Sequence, residues 1–379
     1  MLNIALIGST GSIGTQVLNV VNRYPNKFKI VSMAAGSNVA LFEEQVNKYK
    51  PEIACLCDSE KARLIKSLPK NTCFYYGENS LVHAVTEKAD IVFVAVSGFA
   101  GLDVVKTAIE LKKNVALANK ETLVAGGEII MPLAKKNGVK IIPVDSEHSA
   151  IWQCLDFEEK KEFKKLIITA SGGAFRNLTK SELCSVTAVD ALKHPNWQMG
   201  KKITIDCATM INKGFEVIEA MWLFDAPYNK TQVLIHPQSI VHSMVEFSDG
   251  AIMAQMGVPS MEIPIQLALT YPNRLETNLE PLNLVNKSLE FKEVDREFYP
   301  CFALTEQAIK MGANYPCALS GADETAVELF LNGKIGFLDI AKGISYALEK
   351  TEKLAVNFET LHYTDKEARR LVLEYFNRR

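Results

Sequence analysis

The sequence lacks the features that mark membrane proteins, disulfide-rich proteins and most nucleic-acid-binding proteins. No apolar run reaches the ~20 residues that a membrane-spanning helix needs, and residues 1–8 contain no basic region followed by a long apolar run. The eight cysteines show no C-x-x-C spacing, which argues against zinc sites and a disulfide framework. The 42 basic and 44 acidic residues give a formal net charge of -2, so the overall charge gives no reason to expect nucleic acid. We therefore expect a cytoplasmic protein that binds a small molecule and has no membrane or nucleic-acid partner.

The first part of the chain alternates short apolar runs with amphipathic helical stretches. Its 379 residues are enough for two or three domains. After a first strand at residues 2–7, the expected buried strands are Lys29–Ala35, Ile53–Cys57, Ile91–Val96, Asn114–Ala118 and Val139–Val144. Such alternation predicts an α/β fold with a doubly wound parallel sheet.

The rest of the chain changes character near Asp145. An apolar strand at Lys165–Ala170 and an alternating segment at Val233–Phe247 predict an α+β region with a sheet exposed on one face. Residues 271–300 carry three prolines and little periodicity, as is typical of a linker. Helical spacing follows at Cys301–Met311, Asp323–Asn332, Phe337–Lys350 and Thr364–Asn377, which predicts a small C-terminal helical bundle.

A glycine-rich loop at Gly8, Gly11 and Gly14 follows the first strand and precedes a helix. In that context, glycines let backbone amides approach a pyrophosphate at the positive end of the helix, although a plain turn is the simpler alternative. The second strand ends in Gly36, Ser37 and Asn38, without the acid that usually binds the ribose of NAD. The loop therefore predicts nucleotide binding with NADP preferred.

Three carboxylates suggest a site for a hard metal ion. Asp145 and Glu147 follow an apolar run, and we expect their side chains to lie on one side of an extended segment; Glu216 follows in N-K-G-F-E. Oxygen ligands without thiolate or imidazole favour Mg²⁺ or Mn²⁺ over zinc. The alternative is an exposed acidic turn and a glutamate on a helix surface.

Several residues near these motifs are candidates for substrate binding. Lys120, in A-N-K-E after another strand, is a candidate substrate cation, or simply a lysine paired with Glu121. Asn212 and Lys213 lie within one helical turn of Glu216, which favours a phosphorylated substrate bound to a metal. Residues 171–200 are interpreted as a lid whose Trp197 covers the ligand, the alternative being a core tryptophan. We interpret His148, His236 and His242 as structural and leave them out of the site.

The motifs G-S-T-G-S-I-G, A-N-K-E, P-V-D-S-E-H, S-G-G-x-F-R, H-P-N-W-x-M-G, N-K-G-F-E and I-H-P-Q-S occur in one order across residues 8–239. In this the chain resembles the 1-deoxy-D-xylulose 5-phosphate reductoisomerases. The resemblance implies a homodimer with a Rossmann-like NADPH domain at 1–145, a catalytic and dimerisation domain at 146–270 with the lid at 171–200, a linker at 271–298 and a helical domain at 299–379. It also implies rearrangement of 1-deoxy-D-xylulose 5-phosphate and reduction by NADPH to 2-C-methyl-D-erythritol 4-phosphate, a step of isoprenoid precursor synthesis.

The resemblance also implies roles for individual residues. The metal ligands would be Asp145, Glu147 and Glu216, and the catalytic residues would be Lys120, Glu147 and His194. The substrate contacts would be Lys120, Ser146, Glu147, Ser171, His194, Trp197, Cys207, Asn212, Lys213 and Glu216. The cofactor contacts would be Thr10, Gly11, Ser12, Ile13, Gly36, Ser37, Asn38, Asn119, Glu121 and Gly200.

The chain departs from the family pattern at several positions. Cys207 stands where a phosphate-binding serine is typical, and Ser37 where a basic residue is common. Ser260 and Glu262 interrupt a usual P-D-M-R block, and residues 318–324 differ from an asparagine-rich version. Because a thiol is a weak hydrogen-bond donor, Cys207 bears on phosphate affinity rather than on reaction type. Two alternatives remain from the residues alone: an NADP-dependent semialdehyde or sugar dehydrogenase, and a non-catalytic NADP-binding regulator.

Overall fold

The computed structural model describes residues 1–77, 79–156, 162–192 and 199–378. The chain forms two compact units. Unit 1 comprises residues 1–122, 130–145 and 261–278, and unit 2 comprises residues 123–129, 146–260 and 279–379. Among the described residues, no helix is long and apolar enough to cross a membrane.

Unit 1 contains a seven-stranded sheet in which every neighbouring pair of strands is parallel. Its strands are β1 (Leu2–Ile7), β2 (Phe28–Ala35), β3 (Ile53–Leu56), β4 (Cys73–Tyr76), β5 (Ile91–Val94), β6 (Asn114–Leu117) and β7 (Ile141–Pro143). Their order, β4-β3-β2-β1-β5-β6-β7, reverses direction between β1 and β5, which is where such sheets bind nucleotides. The predicted doubly wound parallel sheet is therefore confirmed.

Helices connect these strands, as the alternation in the sequence predicts. They are α1 (Ser12–Arg23), α2 (Val39–Tyr49), α3 (Ser59–Ala62), α4 (Gly101–Glu110) and α5 (Lys120–Asn137). Helix α1 turns Val17, Leu18, Val20 and Val21 inward, so that burial of one apolar face stabilises it. Strand β4 was not expected from the sequence, because three of its four residues are exposed and it carries no buried apolar run.

Unit 2 contains a five-stranded mixed sheet of order β11-β10-β8-β9-β12. Its strands are β8 (Lys165–Ala170), β9 (Thr231–Ile235), β10 (Val241–Glu246), β11 (Ile252–Met256) and β12 (Lys292–Glu293). Only β8 and β9 are parallel; the other neighbours are antiparallel. Its helices before residue 224 are α6 (Ser146–Cys154), α7 (Ala188–Ala191), α8 (Lys201–Thr209) and α9 (Ile211–Leu223). The predicted α+β region is confirmed.

Helix α10 (Glu262–Thr270) belongs to unit 1. Arg23 of α1 donates from Nη2 to Glu262 at 2.6 Å and from Nη1 to Gln266 at 3.3 Å, so both contacts tie α10 to α1. Glu262, a departure from the family pattern, thus has a structural partner. The domain boundaries drawn from the sequence assigned residues 262–270 to the catalytic domain, whereas their compact grouping is with unit 1.

Four helices complete the chain after the largely irregular segment 271–299. They are α11 (Pro300–Met311), α12 (Tyr315–Leu331), α13 (Asp339–Lys350) and α14 (Phe358–Asn377). They share one apolar cluster, which includes Phe215 and Ile218 of α9 as well as Leu319 and Phe330 of α12. The core of the helical region therefore continues onto α9, the helix that carries Asn212, Lys213 and Glu216.

Candidate active site

The glycine loop after β1 has no room for a side chain at Gly8 or Gly14. Gly8 has a φ of 101°, and a Cβ there would lie 2.4 Å from the carbonyl oxygen of Ala95; a Cβ on Gly14 would lie 2.1 Å from the carbonyl oxygen of Gly8. Gly11 is the N-cap of α1, with no side-chain cap and no acidic residue in the first helical turn. The positive end of α1 therefore has no acid in its own first turn, which suits an anionic ligand.

The other expected cofactor residues in unit 1 lie at the ends of β2 and β6. Gly36, Ser37 and Asn38 are exposed directly after β2, and Asn119 and Glu121 are buried after β6. Asn119 caps α5 by accepting from the Thr122 amide at 3.0 Å, and its Nδ2 donates to Glu121 at 2.9 Å. Gly200, by contrast, is the exposed N-cap of α8 in unit 2.

Lys120 begins α5 and forms an ion pair with Asp145, the last residue of its segment of unit 1. Both side chains are about nine-tenths buried. The alternative partner from the sequence, Glu121, instead accepts from Asn119. The ion pair joins a candidate substrate cation to a candidate metal ligand.

Glu147 lies in the first turn of α6, so the expectation of an extended segment across Asp145 and Glu147 is wrong. The sequence does contain a helix-start signal there, since Ser146 precedes an acid in a first turn, but the apolar run before Asp145 drew the prediction toward a strand. Ser146 donates from Oγ to Glu147 Oε2 at 2.6 Å. The side chain of Glu147 is thereby fixed at the start of the helix.

Glu147 and Glu216 converge on the ammonium group of Lys213. Lys213 Nζ donates to Glu147 Oε1 at 2.7 Å and to Glu216 Oε2 at 2.6 Å, while Asn212 Nδ2 donates to Glu216 Oε1 at 2.8 Å. Burial acts to lower the pKa of Lys213, but the two carboxylates outweigh it and raise that pKa above its ordinary value. Lys213 is therefore a buried cation held by two anions.

Two histidines that the sequence analysis left out lie beside this cluster. His148 of α6 is fully buried, and its Nε2 donates to the backbone carbonyl of Glu216 at 2.8 Å. It thereby links α6 to α9, the two helices that carry Glu147 and Glu216. Burial lowers the pKa of His242 in β10, and the Glu147 carboxylate acts in the opposite direction. The sequence gives no signal that either histidine lies beside the cluster, because both placements depend on contacts between distant segments.

The opposite face of α9 is anchored to the helical region. A Cβ on Gly214 would lie 2.5 Å from the Oγ1 atom of Thr305 in α11, and Thr305 is fully buried. The absence of a side chain at position 214 thus lets α9 approach α11 closely, directly beside Lys213. Sequence reasoning missed both residues, although a glycine inside N-K-G-F-E was a possible signal of close helix packing.

Ser171 and Cys207 lie on segments that are packed together in unit 2. Ser171 Oγ accepts from the Gly173 amide at 3.2 Å, and a Cβ on Gly173 would lie 2.4 Å from the carbonyl oxygen of Cys207. Cys207 is partly buried in α8. His194 and Trp197 lie outside the described residues, so the lid interpretation stays a prediction.

A doubly wound parallel sheet with a glycine loop at its switch point defines the class of nucleotide-binding α/β proteins. The chain belongs to the 1-deoxy-D-xylulose 5-phosphate reductoisomerase family. Family models match residues 4–127 (1-deoxy-D-xylulose 5-phosphate reductoisomerase), 141–224 (its C-terminal domain) and 256–371 (DXP reductoisomerase C-terminal domain). The resemblance drawn from the motifs is confirmed.

Individual relatives match nearly the whole chain. The 1-deoxy-D-xylulose 5-phosphate reductoisomerase of Halalkalibacterium halodurans is 48% identical over 378 residues, covering 98% of this chain and 99% of the relative. That of Thermoanaerobacter pseudethanolicus is 46% identical over 384 residues, covering 100% of both. A crystal structure of DOX-P reductoisomerase in complex with NADPH, fosmidomycin and magnesium has a TM-score of 0.94 and 35% identity, covering 100% of this chain and 98% of that one. The Zymomonas mobilis enzyme in complex with NADPH has a TM-score of 0.90 and 36% identity, covering 99% of both chains.

Proposed function

We propose that this chain converts 1-deoxy-D-xylulose 5-phosphate to 2-C-methyl-D-erythritol 4-phosphate, with NADPH as reductant and a divalent metal as cofactor, in isoprenoid precursor synthesis. The observation that carries the proposal is the convergence of Glu147 and Glu216 on one buried cation in a chain of this family. A semialdehyde dehydrogenase or a non-catalytic regulator has no need of such a cluster.

NADPH would be held mainly in unit 1, and when bound it supplies the hydride for the reduction. The fit rests on the close backbone packing at Gly8 and Gly14 and on the N-terminus of α1, which has no side-chain cap. The proposed contacts are Thr10, Gly11, Ser12, Ile13, Gly36, Ser37, Asn38, Asn119, Glu121 and Gly200. The exposed Gly36–Asn38 segment contains no carboxylate to repel a 2′-phosphate.

The metal would be held by Asp145, Glu147 and Glu216, and when bound it polarises the substrate's oxygens as a Lewis acid. Ligand atoms of Glu147 and Glu216 lie within 4.8 Å of each other, and Asp145 precedes Glu147 by two residues in the chain. Carboxylate oxygens suit Mg²⁺ or Mn²⁺. The donor set therefore fits the proposed ion.

The remaining residues would bind and orient the phosphorylated sugar. Lys120 and Ser146 are proposed to donate hydrogen bonds to the carbon-chain oxygens of the substrate, and Asn212 and Lys213 to its phosphate. Ser171 and Cys207 complete the proposed phosphate contacts, and His194 and Trp197 are proposed to close over the site. Lys120, Glu147 and His194 keep their proposed catalytic roles.

We also propose that the chain works as a homodimer, with strand β11 of unit 2 in the interface. β11 is an edge strand, and its Ile252 and Met253 are 54% and 52% exposed. An exposed apolar edge strand is prone to pair with another chain. Sedimentation of the wild type and of Met253→Lys tests this: a dimer that the substitution weakens is expected, and a wild-type monomer contradicts it. The cytoplasmic location stays a prediction.

The test of the function is identification of the product by NMR. The chain is incubated with 1-deoxy-D-xylulose 5-phosphate, NADPH and Mg²⁺ or Mn²⁺, with a matched reaction that contains a chelator. The branched 2-C-methyl-D-erythritol 4-phosphate is expected only where metal is present. Metal-independent oxidation of NADPH to an unbranched product would favour a dehydrogenase, and no oxidation would favour the regulator.

A further inference from the structure

The carboxylate cluster of unit 2 is internally complete. Lys213 Nζ donates to one oxygen of Glu147 and one of Glu216, at 2.7 and 2.6 Å. The second oxygen of Glu147 accepts from Ser146 at 2.6 Å, and that of Glu216 accepts from Asn212 at 2.8 Å. All four carboxylate oxygens therefore accept hydrogen bonds from the chain's own side chains.

A divalent ion and the Lys213 ammonium cannot occupy this cluster together. A metal held by Glu147 and Glu216 would need the carboxylate oxygens that now accept hydrogen bonds from the Lys213 ammonium. Two cations bound to the same pair of carboxylates would repel each other strongly in a buried site. Binding of the metal thus requires Lys213 to leave both carboxylates.

We propose that Lys213 is an internal counter-cation that keeps Glu147 and Glu216 paired until a divalent metal displaces it, and that the displaced ammonium then binds the anionic group of the substrate. This inference rests on the proposed function, because it uses the proposed metal ligands and phosphate contact. It adds that Lys213 exchanges the two carboxylates for the substrate anion, and that this exchange couples metal binding to anion binding.

The burial of Lys213 explains why binding of the metal should favour binding of the anion. Its exposed fraction is 4%, and a buried ammonium without a counter-ion is costly. Metal alone would leave Lys213 without its anions, whereas an added phosphate supplies a new one. Lys213 also lies in the first turn of α9, whose positive end favours an anion. Metal and anion should therefore bind cooperatively, and by the same factor in either order.

The test measures Mn²⁺ affinity by electron paramagnetic resonance, with and without inorganic phosphate, after subtraction of a protein-free blank. The proteins compared are the wild type, Lys213→Met and the control Lys201→Met, which removes the same charge from an exposed position of α8. Without phosphate, we expect Lys213→Met to bind Mn²⁺ about tenfold more tightly or better, since two charge-assisted hydrogen bonds no longer compete. Phosphate should tighten Mn²⁺ binding in the wild type and in Lys201→Met, and have no such effect in Lys213→Met.

A second variant covers the case in which Lys213→Met fails to fold because Glu147 and Glu216 repel each other without the ammonium between them. Lys213→Gln retains a hydrogen-bond donor without the charge, and the same two changes are expected for it. Equal Mn²⁺ affinity in the wild type and the Lys213 variants overturns the inference, as does a phosphate effect that persists in those variants or is missing from the wild type. Failure of the proposed function is a different result: a wild type that binds no Mn²⁺ and forms no branched product.

Discussion

Replacement of Glu216 by glutamine should separate metal binding from folding. Glu216 is 1% exposed and accepts hydrogen bonds from Lys213 and Asn212 through different oxygens. Glutamine keeps the size but removes the charge, so the variant should lose about 1.5–3 kcal/mol of stability, the contribution of a hydrogen bond to a charged group. Glu147 still pairs with Lys213, and the protein should therefore remain folded.

The loss of metal affinity should be much larger than the loss of stability. Changes to residues that only support metal ligands already cost about 10–100-fold in affinity, so loss of a direct ligand charge should cost about a hundredfold or more. Following NADPH consumption against Mn²⁺ concentration measures this, and activity should partly return at high Mn²⁺. Glu306→Gln is the matched control, since Glu306 is 8% exposed and its carboxylate accepts hydrogen bonds from Tyr228 and Arg296, neither of which has a proposed role in the site. Activity of Glu216→Gln within a few-fold of the wild type at limiting Mn²⁺ would refute the proposed ligand role.

Three further predictions concern the cofactor and the phosphate. Ser37→Asp should erode a preference for NADPH over NADH, because a carboxylate repels the 2′-phosphate; equal catalytic efficiencies in the wild type would contradict the assignment. Gly14→Ala should weaken NADPH binding, measured by cofactor fluorescence, and lower the melting temperature, since its Cβ would lie 2.1 Å from a backbone oxygen; unchanged values would contradict the close-packed loop. Cys207→Ser should lower the substrate KM by up to about tenfold if the side chain faces the phosphate; an unchanged KM with a lower melting temperature would indicate a packing role.

The fold could be predicted where burial leaves a continuous local pattern. Strand β5 is apolar and buried at all of its residues, and this signal requires no knowledge of distant residues. Strand β4 could not be predicted in this way, because its exposed residues carry no such pattern. The grouping of α10 with unit 1 could not be predicted from local sequence, because the ion pair between Glu262 of α10 and Arg23 joins residues 239 positions apart.

The candidate site shows the same division between local and long-range information. Asn212, Lys213 and Glu216 share one helical turn, so their proximity followed from spacing alone. The contact of Glu147 with Lys213 spans 66 positions, and the hydrogen bond from His148 to Glu216 spans 68. Such pairings arise only when α6 and α9 pack together. The sequence therefore indicated which residue types matter but not that Lys213 lies between the two acids.

Because Gly214 packs closely against Thr305, substitutions in the C-terminal helices should also disturb the site. A larger residue at either position would push α9 away from α11 and shift Lys213 and Glu216 with it. A screen for inactive variants should therefore recover substitutions at Gly214 and Thr305, even though neither residue has a proposed contact with metal, cofactor or substrate.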